Sequence, residues 1–111
     1  MNDIYKTWDF EKFITFIMYH VAMVDFNLAP EEKSLLLKRV SVEEFNDIRL
    51  FHKKNSDYEN IQTILYFKDK FCQTTEAVDK VYDAMNAVIF ADGEFNMYER
   101  NIKRAFQMLL A

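Results

Sequence analysis

One acidic helix–turn–helix pattern occurs twice in this chain, 67 residues apart. The second copy reads Ala91-Asp92-Gly93-Glu94-Phe95-Asn96-Met97-Tyr98-Glu99-Arg100. The first reads Val24-Asp25-Phe26-Asn27-Leu28-Ala29-Pro30-Glu31-Glu32-Lys33. Asp25 aligns with Asp92 and Glu32 with Glu99; upstream, Met18 aligns with Met85 and Val21 with Val88. Each copy is an apolar helix ending in Asp, a short turn, and a second helix with Glu at its third position. A chain built on such a repeat is committed to helices. The turn formers agree: 111 residues contain one Gly and one Pro, and turn-rich β folds need many more of both.

Helix signals follow one another along the whole chain. Thr7-Trp8-Asp9 opens a first helix to about Asp25, with Phe10, Phe13, Ile14, Ile17, Val21 and Val24 at helical spacing. From Phe13 to Val24 it is apolar nearly all round, as a central core helix is. Pro30 suits a first helical position and starts a second helix to about Arg39. Ser41-Val42-Glu43-Glu44 and Ser56-Asp57-Tyr58-Glu59 both spell a capping box. They open a third helix to about Lys54 and a fourth to about Cys72, whose apolar stripe is read as Ile61, Ile64, Leu65 and Phe71, broken by Lys68. Thr74-Thr75-Glu76 opens a fifth, to Ala91, and Asn96 with Glu99 caps a sixth, to about Leu110. The expected fold is therefore all-α. It is a compact bundle of about six helices in a single domain over residues 1–111, with an internal helix-turn-helix duplication packed around helices one and five.

Charge and composition exclude several functions. The net charge is −4, against the clustered Lys and Arg that nucleic-acid binding requires. No stretch approaches the roughly 18 apolar residues of a membrane span. A lone cysteine, Cys72, forms no internal disulfide and fits a reducing compartment. The first six residues lack the basic-then-apolar order of a secretion signal. A cytoplasmic protein is expected. No glycine loop for phosphate and no nucleophilic motif is present, so no catalytic constellation is identified.

The acidic turns carry the functional question. A carboxylate at a helix C-terminus faces the negative end of the dipole, at a cost of some tenths of a kcal/mol. Two arrangements offset it. In one, Asp25 and Asp92 accept hydrogen bonds from free N–H groups of the turn, and Glu32 and Glu99 bond back to the capping residue. In the other, Asp92, Glu94 and Glu99 converge on a hard divalent cation such as calcium, which takes several oxygen ligands. The calcium-loop spacing of EF-hands is not met: counted from Asp92, Gly93 is second and the twelfth residue is Lys103. Gly93 can take a left-handed conformation, whereas its counterpart Phe26 cannot do so cheaply.

The order of apolar helix, Asp-Gly-Glu, apolar residue, capping residue, two further residues and Glu resembles the TerB-like family, named for tellurite resistance. The match is clearest over residues 86–104 and extends over 19–39, where Phe26 and Asn27 stand in place of the usual Gly-Glu. The resemblance implies an all-helical fold with acidic residues clustered on one face. It also implies a non-enzymatic role in metal-related or other chemical stress responses, through protein partners and membrane-associated complexes. Its acidic positions carry over to Asp92, Glu94 and Glu99, with Asp25 and Glu32 in the first copy. A purely structural helical adaptor and a metal-dependent enzyme using Asp92, Glu94 and Glu99 are the rival expectations.

The remaining candidates read as structural. His20 and His52 are far apart in sequence and make no zinc signature; His20 is expected half-buried and hydrogen-bonded. Cys72 is expected to pack at a helix end. Lys33, Lys38 and Arg39 are expected on a solvated face with local ion pairs. Tyr66-Phe67 and Phe106 to Met108 are the stretches expected to offer an interface.

Overall fold

The computed structural model describes residues 8–23 and 30–89, together with Arg104. Five helices follow in order: α1 (Phe10–Ala22), α2 (Pro30–Leu37), α3 (Val42–Lys54), α4 (Asp57–Phe71) and α5 (Thr75–Ile89). No strand occurs among the described residues. The expected sixth helix and both Asp-containing turns lie outside them.

Local chemistry starts these helices where the sequence says it should. The Asp9 carboxylate accepts the Lys12 N–H at 2.8 Å and caps α1. Ser41 and Ser56 each complete a reciprocal capping box, with Glu44 and Glu59. Each box satisfies two N–H groups that a helix start otherwise leaves free. Thr74 Oγ1 accepts the Ala77 N–H at 3.1 Å at the head of α5. α2 stops at Leu37, short of the expected Arg39, because the chain tightens: Lys38 and Arg39 donate to the carbonyls three residues back, Leu35 and Leu36.

α1 is the centre of the molecule. It packs against each of the other four helices, most extensively against α5. Every residue from Phe13 to Tyr19 is buried, as are Val21 and Ala22, which matches its apolar circumference. The one hydroxyl in that run, Thr15, donates to the Glu11 carbonyl at 2.8 Å. α5 presents Val81, Ala84, Met85 and Val88 inward at helical spacing, and it packs on α2 as well as on α1.

An aromatic cluster fills one end of the core. The Trp8 ring stacks on Phe67 at 5.8 Å and meets Phe51 and Phe16 at 5.1 and 5.5 Å. Phe13 lies 5.2 Å from Phe67 and 5.7 Å from Phe71. Such pairs contribute roughly 0.5–1.5 kcal/mol each beyond their buried area. Phe67 is therefore a core residue and not an interface one, while its neighbour Tyr66 remains exposed.

The inward face of α4 differs from the expected stripe. Asn60, Thr63, Ile64 and Phe67 are the buried positions, and Leu65 and Lys68 turn away to partial exposure. Two polar residues tolerate that burial because they are bonded. Thr63 Oγ1 donates to the Glu59 carbonyl at 3.0 Å, and Asn60 bridges Asn55 and the His52 carbonyl. No helix among the described residues is long and apolar enough to cross a membrane.

Candidate functional site

Two places in the fold hold chemistry that the core does not require. The first is the head of α2. Pro30 is its first residue, so Glu32 takes the third helical position as expected. Glu31 and Lys33 on either side are exposed, yet Glu32 is 3% exposed and shares the inward face with Leu36 one turn on. A carboxylate is costly to bury unless hydrogen bonds or opposite charge compensate it. The first turn of a helix offers both free N–H groups and the positive end of the dipole.

Of the five acidic residues singled out in the sequence, Glu32 is the one the structure describes. Asp25, Asp92, Glu94 and Glu99 lie outside the described residues, as do Phe26 and Gly93. Among the described residues, no group of three or more His, Cys, Asp or Glu side chains is placed to hold a metal ion. Beside Glu32 in sequence, Pro30, Glu31, Ser34, Leu35 and Lys38 line an open groove of about 500 Å³ that Ala87 of α5 closes on the far side. The Asn86 side-chain carbonyl, next to Ala87, is buried without a hydrogen-bond partner among the described residues.

Two basic side chains in and just after α2 make contacts with neighbouring helices. Arg39 Nη1 meets Glu11 Oε2 at 3.0 Å and ties the end of α2 to the start of α1. Lys33 lies over the Phe45 ring at 6.0 Å. Lys33, Lys38 and Arg39 are exposed as expected, and Arg39 is ion-paired, with a carboxylate of another helix.

The second place is where α1 and α3 meet. His20 Nδ1 and His52 Nε2 stand 2.9 Å apart, with the ring centroids at 5.1 Å. One imidazole donates its N–H and the other accepts, so the pair shares a single bridging proton. His20 is half-buried and hydrogen-bonded, as expected. Its partner was not foreseen, because the pairing joins residues in different helices. Each histidine lies in the last turn of its helix.

The surroundings of the pair are ordered from three sides. On α1, Phe16, Tyr19 and His20 share one face by their three- and four-residue spacing. The His52 ring meets Phe16 at 5.8 Å and the Tyr19 edge at 5.1 Å. From α4, buried Asn60 donates to the His52 backbone carbonyl at 3.3 Å. Burial pushes the His52 imidazole down to about 4, the neighbouring His20 adds to the shift, and the Asp57 carboxylate opposes it. Burial lowers His20 also, again against Asp57. Both rings are thus neutral near pH 7. Burial likewise raises the Tyr19 phenol, with Arg49 opposing.

Cys72 ends α4 as its cap residue and packs half-buried against the core, the structural part expected of it. Burial raises its thiol, which keeps it from the reactive thiolate form. No family model matches this sequence, and neither a curated protein nor a solved structure matches it.

Proposed function

We propose that this chain is a non-enzymatic, TerB-like helical module that serves a stress response through protein contacts. In this reading its acidic turns take a divalent cation such as calcium, through Asp92, Glu94 and Glu99 in one copy and Asp25 and Glu32 in the other. The burial of Glu32 carries the reading. A carboxylate that only decorated a helix start would stand in water as Glu31 does; this one faces inward on the stripe of Leu36. The contact between α1 and α5 supports the duplication, since these are the helices that precede the two acidic turns in sequence. Oxygen-rich sites of this composition suit hard cations.

The rival is a helical adaptor whose acids only fasten helix ends. An amide-resolved NMR titration with calcium, magnesium and manganese separates the two, with Asp92→Asn and Glu32→Gln as controls. Saturable changes around Asp92 to Glu99 that vanish in Asp92→Asn support the cation-binding module. A flat response, with both variants merely less stable, leaves the adaptor.

A further inference from the structure

The histidine pair joins two helices through atoms that are also metal ligands. We propose that His20 and His52 form a two-imidazole site for a transition-metal dication of the zinc, nickel or copper class, clamping the last turn of α1 to the last turn of α3. The site is independent of the acidic turns and takes a different class of ion, since imidazole nitrogen suits these metals and carboxylate oxygen suits calcium and magnesium.

Distance is the first argument. Zinc–nitrogen bonds are about 2.0–2.1 Å, so two nitrogens on one ion stand about 2.9 Å apart at a right angle and about 3.3 Å apart in a tetrahedron. His20 Nδ1 and His52 Nε2 are already 2.9 Å apart. The ion would displace the bridging proton and sit to one side of the N···N line, roughly 1.4 Å from it, so that both rings turn slightly to aim their lone pairs at it. The ring that now donates carries its N–H on its other nitrogen instead, so a neutral pair binds without losing a proton.

Electrostatics is the second. Both rings lie in the last turns of their helices, where the dipole's negative end favours a cation. The Asp57 carboxylate in the first turn of α4 acts on both imidazoles in the same sense. Burial nevertheless keeps the rings unprotonated near neutral pH, and a metal needs that lone pair.

Positioning is the third. His52 is packed against Phe16 and Tyr19, and its backbone is held by Asn60. Each ligand comes from a helix and not from a loop. Among the described residues the two histidines supply the protein ligands, and water would fill the positions they leave open.

Tag-free, chelator-treated protein titrated with zinc tests this, because the chain has only two histidines. The imidazole nitrogens are read by NMR and the affinity by calorimetry. The expected result is saturation at one equivalent, with His20 bound through Nδ1 and His52 through Nε2, and a higher Tm. His20→Gln and His52→Gln should each weaken binding by more than the roughly 10–100-fold lost when a ligand's supporting partner is removed. Glu31→Gln, at an exposed position of α2, should leave it unchanged. Unmoved imidazole signals at excess zinc overturn the proposal, as does undiminished affinity in a folded His52→Gln. If the variants fail to fold, the ligating atoms seen in the wild-type protein decide the matter.

Discussion

His20 and His52, 32 residues apart in sequence, share one hydrogen bond of 2.9 Å between Nδ1 and Nε2. The contact places two neutral imidazoles at the join of α1 and α3. It makes that join responsive to anything that competes for the lone pair.

Protons compete first. An unfolded histidine titrates near 6.5, whereas folded His52 titrates at about 4. Between these values the unfolded chain binds more protons, so stability rises with pH. The stabilisation from neutral His52 is fully present above about pH 6.5 and lost as pH falls toward 4. Allowing for the water that reaches the half-buried ring, it amounts to about 1–2 kcal/mol. Urea unfolding of metal-free protein at pH 4.5 and 7 should show the pH dependence reduced by that amount in His52→Gln. A steeper loss in the variant would mean that the folded protein favours the charged ring.

Asn60 holds the site from α4. Asn60→Ala leaves the His52 carbonyl and the Asn55 amide without this partner, at an expected cost of about 1–3 kcal/mol. The His52 imidazole signals should shift in the same variant, and unchanged signals would detach Asn60 from the positioning of His52.

The adjacent acids of α2 should behave differently. Glu32→Ala should cost about 1–3 kcal/mol, since it leaves the groups that compensate this buried carboxylate without their partner. Glu31→Ala, at an exposed position, should stay within about 0.5 kcal/mol. Equal effects in denaturant melts would remove the argument from Glu32 burial.

Phe67 anchors the aromatic cluster between Trp8 and Phe13. Phe67→Ala should cost about 3–5 kcal/mol through lost burial and the cavity left behind. Ser56→Ala, which breaks one capping box, should cost about 1 kcal/mol. Comparable midpoints for the two variants would mean that the cluster repacks.

Helix starts were legible to within a residue because their causes are local. Asp9, Ser41, Ser56 and Thr74 bond to N–H groups three residues on, and those bonds are written in adjacent letters. The burial of α1 was legible too, because an apolar circumference has one stable place. The inward face of α4 was legible in part: Ile61, Ile64 and Phe71 pack on the core as read, while Asn60, Thr63 and Phe67 were missed. Asn60 and Thr63 are polar, and their burial depends on partners that the stripe alone does not name. Phe67 was read as an interface residue for a similar reason: apolar surface fits a core and an interface alike, and here Trp8 and Phe13 cover it.

By itself, then, the sequence determined an all-helical chain, the starts of its helices and the helix at its centre, because capping and hydrophobic period act over three or four residues. Only the tertiary structure decided that Glu32 faces inward and that His20 meets His52. Those outcomes depend on how whole helices cross and in what register, and packing sets that across long stretches of chain.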